Sequence, residues 1–554
     1  MGFISETGIE SVMDVISKKK IWQGVSLLSV ITVLTLPAVP PEAEAAKQRL
    51  SKDDFEKAEM LYFQRCAGCH GVLRKGIIGK NLEPKRARRL GRKRLEAIMT
   101  HGTGGGMNSF DHILKKEEIT LLASYLQIDP PTPPEMDLET MKDLWSVYVG
   151  PKEYPSKPMH GRNWENFFLV ILRDEGKIAV IDGDKKEIVT KIDTGYAVHV
   201  VEGSSDGRFW YSMGRDGRMT KIDLWMDPPQ VVAEVQVAYS ARDISLSSYG
   251  KWKDKYLLGG GYWPPHVVIV DAVNMEPLRV LSTRGADIKG RYVNESRVAA
   301  IDAIPNEPAW LVAAKDLGQI WRVDYSDIEG LAIKQINSHK SLHNGFFDPT
   351  GEFYQAAAPH ADRIDILDVG SQKIAASIKT GDMPYPSPGA SWVDPKCGPV
   401  SGTAHLGDGV VLVWGSDPEK YPEQAWKICY SVETDGPGMF IRSHPRSKYV
   451  WVDQVMDSDN PENQQTVAVI DKKTRKVIKK LRVTKHPGAV ALHAEFNKGG
   501  TEVWVSVWPR TRGDKKSGEI VVYDADTLKE VARITGLETP TGKFNVYNRT
   551  NVVN

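Results

Sequence analysis

The chain has 554 residues, with 72 Lys and Arg against 71 Asp and Glu, and only four cysteines. That length exceeds one ordinary domain and predicts at least two. A net charge of +1 excludes a uniformly basic or acidic chain, and no stretch after residue 46 is apolar for long enough to cross a membrane as a helix.

Lys18, Lys19 and Lys20 precede an apolar run from Val25 to Val39, and Ala43-Glu44-Ala45 follows as a small-x-small cleavage site. This order reads as a secretory signal peptide over residues 1–46 and predicts an exported, periplasmic protein. The positive segment lies far from Met1, so Met13 is an alternative start. An uncleaved anchor is the competing reading, but the run is short for a span and is broken by Pro37.

Residues 47–131 read as an all-α domain. Phe55, Ala58, Leu61 and Tyr62 share one helix face just before Cys66-Ala67-Gly68-Cys69-His70. That motif is C-x-x-C-H, the attachment signature of a c-type haem. Cys66 and Cys69 would form thioethers to the porphyrin vinyl groups, and His70 would ligate the iron. A redox or zinc CxxC beside a chance histidine is the alternative. From Lys47 to Pro131 there are 17 Lys and Arg against 10 Asp and Glu, much of the excess lying in Lys85–Arg94. On an exported haem domain this run is either a steering surface for an acidic electron-transfer protein or a solvated face, and nucleic acid is not expected. Leu95–Met99 and Ile119–Leu126 fit two further helices. Between them, the Gly102–Met107 loop presents Met107 as the second axial ligand of a class I cytochrome c, with His101 and His112 as alternatives.

Asp129-Pro130-Pro131-Thr132-Pro133-Pro134 reads as a stiff linker and the domain boundary. From 132 to 554 the texture is all-β. An apolar strand ending in Asp recurs at Lys177–Asp182, Met219–Asp223, Val267–Asp271, Ile320–Asp324, Ile364–Asp368, Val467–Asp471 and Ile520–Asp524, with a degenerate copy at Val410–Trp414. Eight copies about 41 to 56 residues apart predict an eight-bladed β-propeller. Cys397 and Cys429 either pair or remain buried thiols.

A cytochrome c domain followed by an eight-bladed propeller resembles cytochrome cd1 nitrite reductase. The likeness rests on CAGCHGVLRK at 66–75, DTGYAVH at 193–199, GRDG at 214–217, DLWM at 223–226 and YWPP at 262–265. It also rests on EFNK at 495–498, TEVW at 501–504 and TPTGKFNVY at 539–547. The resemblance implies a second, non-covalent cofactor, haem d1, in the propeller, and a homodimer. It implies that His199 ligates the d1 iron and that Arg173, Arg215, Arg242, Tyr262 and Thr541 bind haem d1, whose carboxylates need fixed cations. Lys80 and Phe110 would flank haem c. Electrons from a small, acidic c-type cytochrome or cupredoxin would enter at haem c, pass to d1 and reduce nitrite to nitric oxide. Two distal histidines supply protons in the family.

The sequence departs from that pattern on the distal side. His343 matches the first histidine, but Tyr385 stands where the second belongs, a phenol of ordinary pKa about 10. Pro388 and Glu202 each replace an arginine near haem d1, and His493 replaces a glutamine. The pocket is therefore expected to be short of positive charge, with His343, Tyr385 and His493 as the candidate catalytic set. About 20 residues separate the cleavage site from Cys66, so the family's N-terminal arm is expected to be missing. Three readings follow: a nitrite reductase with an altered pocket, a dihydro-haem d1 dehydrogenase of d1 biosynthesis, or a non-catalytic d1-binding electron-transfer protein.

Overall fold

The computed structural model describes residues 50–541 except 77–78, 104–106, 108, 112–113, 130–132, 386–388 and 510–517, and leaves out the side chain of Cys69. The signal peptide, His112, Pro388, the middle of the proline linker and the end of the C-terminal motif lie outside the described residues. Ser51 onward forms one compact unit.

Six helices lead the unit: α1 (Lys52–Arg65), α2 (Ala67–His70), α3 (Pro84–Leu90), α4 (Arg92–His101), α5 (Lys116–Tyr125) and α6 (Leu138–Asp143). Ser51 caps α1, its Oγ accepting from the Asp54 N–H at 3.1 Å, and Asp53 and Asp54 complement the positive end of the helix dipole. Ala58 and Tyr62 of α1 are buried, as are Ile119, Leu122 and Ala123 of α5, so the expected apolar faces form the helical core. The basic run is helical, not merely charged. Pro84 stands in the first turn of α3, where its missing N–H costs nothing, and Pro84 and Ala87 are its buried residues. Gly91, at φ 76°, separates α3 from α4. The linker ends in contact: Pro134 C=O accepts from the Trp263 indole at 2.9 Å, and Glu135 pairs with Arg284 at 2.7 Å.

Among the described residues eight antiparallel blade sheets follow, one per predicted copy, with a separate two-stranded sheet of Gly285–Ala286 and Tyr292–Val293. Seven copies are the third strand of a four-stranded order and Lys177–Asp182 is the middle strand of the first blade, so each has neighbours on both sides and a continuous apolar run is favourable. The recurrent aspartate closes that strand for a local reason. Oδ1 accepts backbone N–H groups two or three residues on: Asp184 and Lys185 for Asp182, Val273 and Asn274 for Asp271, Thr474 for Asp471, and Thr527 for Asp524. An extra strand, Trp145–Val147, extends the second blade at its outer edge.

The ring closes by pairing its two ends. The first blade has three strands from 167 to 193, and Leu172 bridges Pro540. Arg173 N–H donates to Thr539 C=O at 3.2 Å, and Thr541 N–H donates to Ile171 C=O at 3.1 Å. Phe168 stacks on Trp504 of the last blade, 3.8 Å between centroids. Leaving no open edge at this seam is what a propeller requires. A disulfide joins Cys397 to Cys429, with Cα atoms 6.4 Å apart.

Candidate functional site: two haem pockets

Propeller topology places the candidate residues on one face. In each four-stranded up-and-down blade, the turn after the second strand and the link into the next blade lie at the same end. Arg173, Arg215 and Lys315 follow second strands or their equivalent. His199, Arg297, His343 and Tyr385 precede first strands. The repeated aspartates follow third strands and so occupy the opposite face.

The haem c motif shows the chemistry of a ligand site. Cys66 is buried. His70 Nδ1 meets the Lys80 main-chain oxygen at 2.7 Å, which fixes the proton on Nδ1 and leaves Nε2 for an iron. Burial holds the imidazole below its ordinary pKa, against the pull of that hydrogen bond, so the neutral ligand form is favoured. Gly79 is required beside it, because a Cβ there would lie 2.7 Å from the imidazole Cε1. Lys80 thus serves through its carbonyl, and its side chain is exposed. Phe110 N–H donates to the Met99 C=O at 2.8 Å, and Met107 is bridged to Thr103, which sets the loop after α4. Sequence reasoning missed Arg74. It is fully buried between the rings of Tyr62 and Tyr125, and its Nε and Nη2 have no partner among the described residues. Two unsatisfied donors on a buried guanidinium suit a haem carboxylate.

In the propeller, His199 N–H donates to the Met213 C=O at 2.8 Å at the entry to the second blade. Its loop interlocks with GRDG through Tyr196. Tyr196 N–H donates to Asp216 Oδ2 at 2.9 Å, and Tyr196 C=O accepts from the Arg215 N–H at 2.8 Å. Gly217 allows this, since a Cβ there would lie 2.0 Å from the Ala238 carbonyl oxygen.

Tyr262 is the electrostatic centre of the pocket. Burial raises its phenol pKa, but the charges of Arg242, Lys315, Arg297 and Arg215 outweigh burial and bring it down to about 8. The Arg215 and Arg297 guanidinium carbons lie 4.7 and 5.2 Å from its ring centroid. Lys315 is itself lowered to about 8, first by burial and then by Arg297 and Arg242, against Tyr262. Arg297 is held bidentately by Asp316 at 3.0 Å. Thr541 Oγ1 is buried with no partner among the described residues. This cationic pocket with an unused hydroxyl fits a carboxylate-rich macrocycle. Arg173 lies at its edge, half-buried, with Asp174 3.5 Å away.

Two sequence expectations change here. The pocket is not short of positive charge, because Arg297 and Lys315 add to Arg215 and Arg242. Glu202 is a weaker acid than its sequence position suggests. Burial, with Asp243 and Asp302 nearby, pushes its pKa well up, although the carboxyl accepts from the Leu246 N–H at 3.1 Å. Its uncharged form is thereby favoured.

On the distal side, Arg242 Nη2 approaches His343 Nε2 at 2.9 Å and Arg242 Nε donates to the Ala299 C=O at 3.1 Å. Tyr385 hydrogen-bonds the same guanidinium, and its ring centroid lies 4.6 Å from that of His343. Ring contacts continue from Tyr385 to Phe440 at 6.4 Å and from Phe440 to His493 at 4.9 Å. His493 sits at a bulge with φ 55°, and Arg442 Nη2 lies 3.5 Å from its Nε2. Asp453, raised to about 6 by burial, accepts from the N–H groups of His493 at 3.0 Å and Met439 at 2.8 Å. The structure therefore brings His343 and Tyr385 onto one arginine and gives His493 a different one, Arg442. Neither Arg442 nor Asp453 carries a local sequence signal.

Comparison with known proteins finds a match for each domain. Residues 162–549 match the cytochrome D1 heme domain, and residues 53–126 match the cbb3-type cytochrome c oxidase subunit III family. A nitrite reductase of Stutzerimonas stutzeri is 42% identical over 542 residues, covering 92% of this chain and 96% of its own. A dihydro-heme d1 dehydrogenase of Pseudomonas aeruginosa is 31% identical, covering 89% and 94%. The solved structure of dihydro-heme d1 dehydrogenase NirN in complex with DHE superposes with a TM-score of 0.69 at 29% identity, covering 90% of this chain and 100% of that one. These relatives are oxidoreductases, and the two matched domains assign haem c and haem d1 as the cofactors. The chain belongs to the cytochrome cd1 family, a helical haem c domain joined to an eight-bladed haem d1 propeller.

Proposed function

We propose that this protein is a nitrite reductase in which one electron and two protons convert nitrite to nitric oxide and water. The observation that carries the reading is the 42% identity with the Stutzerimonas nitrite reductase across nearly both chains. His343 on Arg242 offers a matching distal donor. Haem d1, when bound, supplies the iron at which nitrite is reduced, and haem c supplies its electron. His70 and Met107 are the haem c iron ligands in this reading, and His199 is the d1 iron ligand. Arg173, Arg215, Arg242, Tyr262 and Thr541 hold the d1 periphery, with Arg297 and Lys315 added by the fold. The cationic wall attracts the anion, and Nδ1–H of His343 delivers a proton in a site walled by Tyr385 and Phe440.

Further parts of the reading concern setting. Lys85, Arg86, Arg88, Arg89, Arg92, Lys93 and Arg94 are all exposed on α3 and α4. Arg88 meets Asp129 and Arg92 meets Glu96, both in solvent-exposed pairs that screen weakly. This face suits an acidic c-type cytochrome or cupredoxin as donor. The disulfide supports export to the periplasm. No helix among the described residues is long and apolar enough to cross a membrane. A homodimer with domains at 47–131 and 132–554 completes the proposal.

One observation favours a second reading. Tyr385 replaces a proton-donating histidine, and the chain superposes on a dihydro-heme d1 dehydrogenase. That activity would remove two electrons and two protons from the d1 precursor, passing the electrons singly through haem c to an external acceptor. The test is direct. The reduced holoprotein is given nitrite and excess reductant, and nitric oxide is counted. Steady production over many equivalents is expected. A yield that stops at one equivalent, with oxidation of added dihydro-haem d1, would replace the first reading by the second.

A further inference from the structure

The haem c motif is gripped by the propeller at both ends. Arg65, immediately before Cys66, places Nη1 3.4 Å from Asp174 Oδ1 and its guanidinium carbon 4.6 Å from the centroid of the Tyr196 ring. Its side chain is 10% exposed, so the charge is largely removed from water and committed to these two partners. At the other end, Val72 N–H donates to Glu295 Oε1. Asp174 is fixed in turn, its N–H donating to Thr539 Oγ1 at 3.1 Å.

The two grips converge. Tyr196 lies three residues before His199 in one loop, and its carbonyl fixes Arg215 N–H. Glu295 lies two residues before Arg297, and their charges interact. Arg215 and Arg297 both sit against the ring of Tyr262. A displacement of Arg65 therefore reaches the d1 ligand loop through one aromatic ring. The phenol oxygen of Tyr196 has no partner among the described residues, so the ring face is the functional part.

We propose that Arg65 and Tyr196 are a positioning couple that, with Glu295 as second anchor, seats haem c on the loop carrying His199 and sets the rate at which an electron passes between the haems. This rests on His199 as the d1 ligand but not on which reaction the d1 site performs. The step is a bare one-electron transfer: haem c is oxidised, haem d1 is reduced, and no bond or proton changes place. Such a step depends on the separation and relative orientation of the two groups, which is what these contacts hold.

The test uses the two-haem holoprotein without nitrite. Haem c is reduced by a radiolytic pulse, and its reoxidation is followed with the appearance of reduced d1. Arg65→Gln and Tyr196→Leu are expected to slow transfer by about tenfold or more, in line with the cost of small misplacements. Arg65→Lys, which keeps charge but loses the planar face, is expected to fall between native and Arg65→Gln. Tyr196→Phe is expected to transfer at the native rate. Haem content of each variant is measured beside the rate. Should Tyr196→Leu fail to hold d1, the two Arg65 variants, outside the d1 pocket, decide the matter. Native transfer rates in Arg65→Gln and Arg65→Lys at full haem content would overturn the proposal. Nitric oxide yield is assayed separately. Slow transfer in Arg65→Gln with no nitric oxide from the native protein would keep the positioning couple and discard the nitrite reading.

Discussion

Arg242 Nη2 donates to His343 Nε2 at 2.9 Å. A guanidinium has no acceptor and does not deprotonate, so the imidazole proton must reside on Nδ1. The arginine thus selects the tautomer of the distal histidine. His343→Ala is expected to lower the nitric oxide rate by about 10²-fold or more, the ordinary yield of a positioned acid. Haem d1 content should be retained, because His343 holds no carboxylate. A nitric oxide electrode and the d1 absorbance give both numbers.

Tyr385 belongs to the same unit. The sequence places it in the candidate catalytic set, at the position of an absent histidine. Its hydrogen bond to Arg242 makes it a second brace on the group that orients His343. Tyr385→Phe is expected to cost roughly 1 kcal/mol of that bracing, about fivefold in rate, with little change in d1 affinity. A loss as large as that of His343→Ala would make the phenol a proton donor in its own right.

Haem d1 uptake should weaken in alkali. Lys315 and Tyr262 are both drawn down to about 8. Below that pH the lysine is a cation and the phenol is neutral. Above it the lysine is neutral and the phenol an anion, so both changes remove positive charge from the pocket. Titrating the d1-free protein with haem d1 should show affinity falling about tenfold or more between roughly pH 7 and 9. Lys315→Gln should bind more weakly at pH 7 and show a shallower pH dependence.

Gly79→Ala is a small change with a large expected consequence. The new methyl would lie 2.7 Å from the His70 ring. The imidazole must then move, and the spectrum and potential of haem c should shift while d1 binding stays intact. An unchanged haem c spectrum would remove His70 as the ligand packed there.

The ring seam can be tested by stability. Trp504 is 1% exposed and stacks on Phe168 across the joint between the last and first blades. Trp504→Ala should cost about 3–5 kcal/mol, seen as a lowered midpoint in denaturant with the disulfide intact.

The contrast between what was legible and what was not follows the two faces of the propeller. Third strands such as Val467–Asp471 announce themselves because burial on all sides forces an apolar run, and because the closing aspartate answers a purely local need for backbone acceptors. The haem c motif is equally local. Arg297, Lys315 and Arg442 gave no such signal. Each is a single cation, Arg297 and Lys315 beside strand ends and Arg442 inside the short strand Ile441–Ser443, brought to its place by closure of a ring hundreds of residues long. Glu202 misled for the same reason, since its pKa is raised first by burial in the closed ring and then by Asp243 and Asp302 from other blades. In the helical domain, α3 was hidden by its own charges: four cations surround one buried alanine, leaving no apolar stripe to count.

Thr541 joins two facts that have been treated apart. Its N–H donates to the Ile171 C=O of the first blade, and its hydroxyl is buried with no partner among the described residues. Two residues earlier, Thr539 steadies Asp174, the partner of Arg65. The haem d1 pocket therefore has no finished wall until synthesis has reached residue 541. A chain halted in its last blade would carry nearly every ligand and still present an open trough instead of a cup.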